Sequence, residues 1–267
     1  MNSFNPQNTS DETTSYRKSI LYAYPGFGKT TQAKYFQDTY GPGFIISGEG
    51  GLSSIRSAGI DYLPFTSWNG ETNPDKQQYA FKDIFDWIRT DEFAAKGYKW
   101  IMVDSLTELG DHAIKAAQES SKKRAEATNT KVNGFEAWAE YGAVMIGVCK
   151  AIRDLPMHVL VTALAKESQD EEGMNQYWPM VAGKQVQMQL PGIFDCVFCG
   201  IRTTTGNAKD GVKVERFIVT DEVRGWHGKV RDEKRRLKSV ETESNLTNLF
   251  ARMDMSDEDF NKFSKGN

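Results

Sequence analysis

The sequence lacks long apolar runs, and none approaches the ~18 residues that a transmembrane helix requires. Its first residues are polar, which argues against a secretory signal peptide. Three cysteines in 267 residues are too few for a disulfide framework and suit a reducing compartment. The net charge is only −3, so binding to nucleic acid would need a local basic patch. These absences predict a cytoplasmic chain with no membrane contact.

A glycine-rich loop is the most informative stretch that is present. It reads Tyr-Ala-Tyr-Pro-Gly-Phe-Gly-Lys-Thr-Thr over Tyr22–Thr31, after the apolar run Ser19–Tyr22 and before a helix-like segment, Thr31–Tyr40. This order is that of a phosphate-binding P-loop, except that Ala23 takes the place of the first glycine. The alternative is a turn that contains Lys-Thr by chance, which the flanking strand and helix disfavour.

The residue types of this loop suit a triphosphate. Gly26 and Gly28 let successive backbone N–H groups converge on an anion. Lys29 can reach the β- and γ-phosphates, and the Thr30 hydroxyl can ligate Mg²⁺. The start of the following helix adds the positive end of its dipole. We therefore predict that a nucleoside triphosphate is bound by Pro25, Gly26, Phe27, Gly28, Lys29, Thr30 and Thr31.

Two more predicted strands end in carboxylates. Phe44–Ser47 is followed by Glu49 among glycines, and the apolar run Lys99–Val103 ends in Asp104. Ligands of open α/β sheets bind at the carboxyl ends of strands. Asp104 is therefore predicted to lie beside Mg²⁺ on Thr30. The alternatives are a charged turn residue for Glu49 and a simple strand cap for Asp104.

Two later segments lack regular periodicity. Ser120–Gly134 is basic and is predicted as a loop that either contacts DNA phosphates or is a solvated surface. Ser168–Tyr177 is acidic, which argues against phosphate binding.

Cys196 and Cys199 fall in a predicted strand, where positions i and i+3 face opposite sides, so we predict core cysteines rather than a metal site. Apolar spacing predicts helices at Lys76–Lys96, Trp138–Asp154, Gly183–Leu190 and Leu246–Met253, and strands at His158–Thr162, Ile193–Ile201 and Arg216–Thr220.

The order of these pieces resembles the RecA-type ATPase core over residues 17–252. Ile101–Leu106 resembles the hydrophobic-Asp-Ser segment of RecA proteins, and Phe44–Gly51 resembles their strand that ends in a catalytic glutamate. Ala151–Glu167 resembles the helix and strand that lead to their second DNA-binding loop. In its small size and in the run from the P-loop through Lys229–Arg231, the chain is similar to the RecA-like phage single-strand annealing proteins, the ATPase branch of the Sak group.

The resemblance implies roles for the residues at the predicted site. Lys29 and Thr30 would hold phosphate and Mg²⁺, with ATP as the nucleotide. Asp104 would orient the metal through water, and Glu49 would activate the attacking water as general base. Thr162 and Lys166 are the candidates for the γ-phosphate sensor, because Thr162-Ala163 replaces the Asn-Gln of RecA proteins.

The resemblance also implies a cation supplied by a neighbouring subunit. Lys229 and Arg231 fit the Lys-x-Arg pair that reaches the next subunit's ATP in RecA-like hexameric motors. Their spacing puts both on one face of a strand, and a trans cation can contribute ~10³–10⁵ in rate. The alternative is a basic surface that contacts the DNA backbone.

The fold implied is α/β: a RecA-like P-loop NTPase core, with a mostly parallel sheet flanked by helices and a β-rich C-terminal part. We expect a disordered tail over residues 1–15, the ATPase domain over 16–253 and an acidic tail over 254–267. No counterpart of the amino-terminal polymerisation domain of bacterial RecA precedes the first strand, so a filament built through that domain is not expected.

The function implied is that of a Mg²⁺-dependent ATPase that binds single-stranded DNA and promotes annealing or strand pairing in phage-type recombination. We expect a cytoplasmic protein of the bacterial host that forms a homo-oligomer, ring or filament, with ATP at subunit interfaces. A single-strand-binding or replication protein is a further expected partner. The alternatives are a helicase loader or replication accessory protein, a small-molecule P-loop kinase, and a module that binds ATP without hydrolysis.

Overall fold

Parallel strands dominate the part of the chain that the computed structural model describes, residues 16–207 and 211–266. The strands are β1 Lys18–Ala23, β2 Gly43–Ser47, β3 Asp61–Ser67, β4 Tyr79–Ala80, β5 Trp100–Asp104, β6 His158–Gln169, β7 Asn175–Pro179, β8 Cys196–Asn207, β9 Gly211–Val219, β10 Glu222–Val223, β11 Trp226–His227, β12 Lys229–Val230 and β13 Val240–Glu241. The helices are α1 Gln32–Tyr40, α2 Phe81–Trp87, α3 Asp91–Ala95, α4 Leu106–Thr128, α5 Gly134–Arg153, α6 Lys184–Ile193, α7 Leu246–Asp254 and α8 Asp257–Gly266. Two 3₁₀ helices span Gly51–Ala58 and Pro74–Lys76.

The order across the sheet is β13-β9-β8-β1-β6-β5-β2-β3-β4. Strands β8, β1, β6, β5, β2, β3 and β4 run parallel, and β9, β12 and β13 add antiparallel pairs on the C-terminal side. Because β6 lies between β1 and β5, one strand separates the P-loop from Asp104. The prediction of a mostly parallel, helix-flanked α/β sheet with a β-rich C-terminal part is confirmed.

Helices cover both faces of the sheet. Side chains of β1 point alternately to the two faces and are buried on both, so each face needs a covering layer. Ile20 and Tyr22 point into the larger cluster, which α2 to α6 cover, whereas Leu21 and Ala23 point into the cluster under α1 and α7. Residues buried on both faces explain why the central strands read as continuous apolar runs. Fully burying each large apolar side chain contributes about 1.5–3 kcal/mol.

The cysteine prediction is confirmed. Cys196 packs in the cluster under α1 and α7, and Cys199 packs in the opposite cluster. Both thiols are free, and burial raises the pKa of each to about 12. Such thiols are poor nucleophiles at neutral pH.

Two segments predicted as irregular are so only in part: residues 129–133 and 170–174 lie outside helices and strands, but the rest is regular, and there the predictions were wrong. Helix α4 continues through the basic stretch to Thr128, because Lys, Arg, Ala and Glu are strong helix formers and Lys122 pairs with Glu126 one turn later. The acidic segment belongs to an antiparallel hairpin of β6 and β7, which turns through Gly173 at φ 80°. Polarity describes the solvent exposure of both segments, not their backbone conformation.

Other boundaries also differ from the sequence-based prediction. The helix predicted over Lys76–Lys96 is two short helices, α2 and α3, and β3 was not predicted at all. The segment predicted as an acidic tail contains α8, where Arg236 stacks over Phe260 at 4.3 Å. The tail predicted over residues 1–15 lies outside the described residues. Within the described ranges, no helix combines the length and apolar character needed to cross a bilayer.

Close packing at the start of β2 gives a test of the core. A Cβ added at Gly43 would lie 1.9 Å from Cε2 of the buried Trp100. We expect Gly43→Ala to lower the free energy of unfolding by about 1–3 kcal/mol through overpacking. Urea unfolding measures it.

The matched control is Gly147→Ala on the surface of α5, where an added Cβ meets no atom within 4 Å. We expect this variant to gain about 0.5–1 kcal/mol, since alanine favours a helix. Equal unfolding midpoints for the two variants would contradict the packing described at Trp100.

Candidate nucleotide site

The loop after β1 has the backbone that phosphate binding needs. Gly26 and Gly28 have φ angles of 78° and 106°, which side-chain-bearing residues rarely adopt. Pro25 is exposed and Thr31 is half-buried, while the ring of Phe27 is 2% exposed and lies in the core. Phe27 therefore offers the loop only its backbone.

Lys29 points back along the loop and is almost fully buried. Its Nζ donates to the carbonyl oxygen of Ala23 at 3.1 Å. Burial lowers the pKa of this ammonium, and the negative charges of Glu49 and Asp104 oppose that shift. A cation held at a glycine-rich loop of this kind can bind phosphate.

Asp104 joins the P-loop to the two strands beside it. Its Oδ2 accepts from the Thr30 hydroxyl at 2.8 Å, and its Oδ1 accepts from the Thr162 hydroxyl at 2.5 Å. The carboxyl is fully buried, and burial raises its pKa, while the two hydroxyl donors lower it. Thr162, a candidate phosphate sensor, therefore holds Asp104 in place.

Glu49 lies on the other side of Asp104, at the end of β2. The register pairs Ser47 with Asp104, and the Gly48 N–H donates to the carbonyl oxygen of Asp104 at 2.7 Å. Oε1 of Glu49 accepts from the Ser105 hydroxyl at 2.5 Å, and Glu49 is half-buried. Lys29, Thr30, Glu49 and Asp104 thus meet at the carboxyl edge of the sheet.

The oxygen atoms at this edge fit Mg²⁺. The Thr30 hydroxyl and the Asp104 carboxylate lie 2.8 Å apart, and Glu49 adds a second carboxylate nearby. Mg²⁺ prefers such hard oxygen ligands and usually binds one or two carboxylates together with substrate phosphates. Thr30 and Asp104 are the residues that would hold it.

The cations predicted to act in trans lie at the opposite edge. β12 pairs with the start of β8, and Val230 and Ser19 are both partners of Cys196. Four residues of β1 lie between Ser19 and the P-loop, which places Val230 about 13 Å along the strand from that loop. Lys229 donates to the carbonyl oxygens of Pro191 and Phe194, and Arg231 pairs with Asp195 at 2.7 Å. They do not reach the nucleotide site of their own chain.

Two arginines near the P-loop were missed by sequence reasoning. The Arg216 Nε donates to the carbonyl oxygen of Phe27 at 2.8 Å, and Nη1 of Arg202 is 3.3 Å from where a Cβ of Gly26 would be. The only sequence signal was their position, since Arg216 begins a predicted strand and Arg202 directly follows one. Lys166, the other sensor candidate, is exposed on the β6–β7 hairpin.

Comparison with known proteins gives one family match. The profile of the family AAA_24, described as an AAA domain, matches residues 15–231. No curated protein matches the sequence. Among solved structures, the chain is similar to the Legionella pneumophila ATPase DotB, at 9% identity and a TM-score of 0.32. The alignment covers 98% of this chain and 64% of that one, and so low a TM-score adds nothing to the strand order described above.

The buried carboxyl of Asp104 generates a pH-dependent prediction. Its pKa is raised in the folded state, so the ionised form costs stability once the pH rises above the ordinary carboxyl value. We expect Asp104→Asn to raise the thermal midpoint of the nucleotide-free protein at pH 7. The gain should shrink as the pH falls toward the ordinary carboxyl value, because the folded wild-type carboxyl, with its raised pKa, takes up a proton above that value.

Asp111→Asn, at an exposed position of α4, is the control and should leave the midpoint unchanged. In the same thermal scans, Asp104→Asn should lose the Mg²⁺-dependent part of stabilisation by ATP. A lower midpoint for nucleotide-free Asp104→Asn would show that the carboxylate stabilises the fold and would contradict this account.

Proposed function

The chain belongs to the AAA_24 family, an AAA domain, and on that premise we propose that it is a Mg²⁺-dependent ATPase that binds single-stranded DNA. Its role would be to promote annealing or strand pairing in phage-type recombination. The observation that carries the ATPase part is the meeting of Lys29, Thr30, Glu49 and Asp104 at one sheet edge.

Glu49 is the general base in this proposal. Ser105 holds Oε1, while Oε2 has no hydrogen-bond partner within the described part of the chain and can accept a proton from water. Lys29 places positive charge where the phosphates bind. Mg²⁺, when bound, would neutralise charge that develops on the phosphoryl group. The reaction class is transfer of the terminal phosphoryl group to water.

The DNA part of the proposal is supported by exposed aromatic and basic side chains at the start of α5. Phe135 is 89% exposed and Trp138 is 46% exposed, and exposed Lys131 precedes them. Helix α5 spans 20 residues, about 30 Å, and ends beside the amino end of β6, so its start lies at or past the carboxyl edge. Aromatic faces beside cations are how proteins bind single strands without reading sequence.

We expect ATP hydrolysis to increase when single-stranded DNA is added at low salt, because bound DNA would order the surface beside the nucleotide. The stimulation should fade as salt rises, since the phosphate contacts release counterions. Steady-state phosphate release with and without an oligonucleotide, at two salt concentrations, measures both effects.

Two variants sharpen this experiment. Lys29→Ala should abolish turnover, whereas Lys34→Ala, an exposed lysine on α1, should keep it. Phe135→Ala should weaken oligonucleotide binding by about 1–3 kcal/mol through lost stacking. ATP hydrolysis retained in Lys29→Ala would refute the ATPase site. Wild-type hydrolysis at the same rate with and without DNA would refute the proposed binding of single-stranded DNA.

We also propose that the protein is a homo-oligomer with ATP at subunit interfaces, and that Arg231 acts on the neighbour's ATP. Arg231 lies at the amino edge beside Lys18 and Arg153, too far from its own P-loop. Its side chain is 63% exposed, so its pair with Asp195 can exchange for a phosphate. A ring or filament would bring this edge to the next subunit's nucleotide.

Arg231→Ala should therefore keep ATP affinity within about twofold and lower turnover by ~10³ or more, the effect of losing a trans cation. Mixing it with Lys29→Ala should restore part of the turnover, because one subunit supplies the P-loop and the other the arginine. Equal loss of binding and turnover, or no rescue on mixing, would contradict the trans role.

One observation favours the alternative function, a helicase loader or replication accessory protein. The tip of the β6–β7 hairpin carries exposed Asp170, Glu171 and Glu172, which suit a basic protein surface rather than DNA. In that case the protein partner, not DNA, would stimulate hydrolysis. DNA-indifferent turnover together with capture of a replication protein would favour this function.

A further inference from the structure

The β8–β9 hairpin continues past the end of the P-loop strand. Ala23, the last residue of β1, pairs with Gly200, whereas β8 continues to Asn207 and stays paired with β9. The P-loop begins where β1 ends, so this extension runs alongside the loop. Its side chains on the face toward the P-loop are therefore close to where the phosphates of a nucleotide would bind.

Gly200 allows the loop to approach β8 closely. A Cβ at Gly200 would lie 2.7 Å from the ring of Phe27 and 2.8 Å from the Cβ of Ala23. Arg202, two residues later, points to the same face of the sheet. Its Nη1 lies 3.3 Å from the Cβ that Gly26 lacks, so the guanidinium reaches the turn of the loop.

Arg216 lies directly opposite Arg202 in the antiparallel register. Its Nε donates to the carbonyl oxygen of Phe27 at 2.8 Å, which fixes the guanidinium beside the loop. Neither Nη group has a hydrogen-bond partner in the described part of the chain, so both can donate to another acceptor. Two arginines thus flank the P-loop from its own chain.

The two arginines place like charges opposite each other on paired strands. Directly opposed like charges destabilise a strand pair, and neither guanidinium has a carboxylate partner among residues 16–207 and 211–266. Three exposed arginines elsewhere do have such partners, in the pairs Arg89–Asp86, Arg124–Glu140 and Arg231–Asp195, but none of these arginines lies opposite another cation on a paired strand. An anion bound between the two guanidinium groups would remove the repulsion.

We propose that Arg202 and Arg216 form a clamp, in cis, on the phosphate chain of the nucleoside triphosphate. This inference rests on the proposed function, because it requires the P-loop to bind ATP. Guanidinium groups suit the task, since their planar fork donates two hydrogen bonds to one phosphate. The clamp also gives each subunit positive charge on its own nucleotide, independent of Arg231 from a neighbour.

The test is equilibrium binding of ATP, ADP and AMP to the full chain and to Arg202→Gln. We expect Arg202→Gln to lose at least tenfold in ATP affinity and progressively less for ADP and AMP, because fewer phosphates remain to be held. The loss should be independent of protein concentration. Without nucleotide, the thermal midpoint should be unchanged or higher, because the variant removes repulsion and breaks no side-chain hydrogen bond to residues 16–207 or 211–266.

Lys213→Gln is the matched control, a cation on the same hairpin that already pairs with Glu215 and should bind ATP like the wild type. ATP affinity of Arg202→Gln within twofold of wild type would overturn the clamp. So would unchanged ATP affinity with weakened oligonucleotide binding, which would assign the arginines to DNA.

Failure of the clamp is distinguishable from failure of the proposed function. Wild-type protein that binds ATP, with binding lost in Lys29→Ala, supports the P-loop assignment whatever Arg202→Gln does. Wild-type protein that fails to bind ATP would refute the proposed function and the clamp together.

Discussion

The hydrogen bonds of the Asp104 carboxylate are the interaction on which the site depends. Asp104 ends β5, Thr30 belongs to the P-loop after β1, and Thr162 lies on β6 between them. The carboxylate therefore ties three adjacent strands together at one edge. A buried carboxylate is costly even when hydrogen-bonded, so stability alone does not explain it. A cation and phosphates at this edge would supply the missing compensation, which accounts for a charge kept in a fully buried position.

The second organising constraint is the length of the strands. Parallel strands bring their carboxyl ends together, so Lys29, Glu49 and Asp104 meet although up to 75 residues separate them in sequence. The same strands keep Lys229 and Arg231 at the amino edge. In the proposed assembly, positive charge would reach a bound nucleotide from two directions: from the β8–β9 hairpin of the same subunit, and from the amino edge of a neighbour. The proposed clamp of Arg202 and Arg216 needs no assembly, whereas the proposed action of Arg231 requires it.

The sequence predicted those features that are local in chemistry. A few adjacent residues were enough to predict the P-loop, the strand-end carboxylates and the buried strands. Strand β3 was not, since it is partly exposed and contains Pro64, which a strand paired with the two-residue β4 near the sheet edge tolerates. Arg202 and Arg216 were missed because their approach to the P-loop depends on the register between β8, β9 and β1. Thr162 was noticed as a sensor candidate, but its hydrogen bond to Asp104 depends on a neighbouring strand.

The most direct test of the account is hydrogen exchange of backbone amides in the full chain, with and without Mg²⁺ and a non-hydrolysable ATP analogue. We predict slower exchange over residues 26–31, because their N–H groups would bind phosphate, and over residues 48–51 beside Asp104. Unchanged exchange in both segments at saturating analogue, or protection confined to the amino edge around Arg231, would contradict a nucleotide site at the carboxyl edge of the sheet.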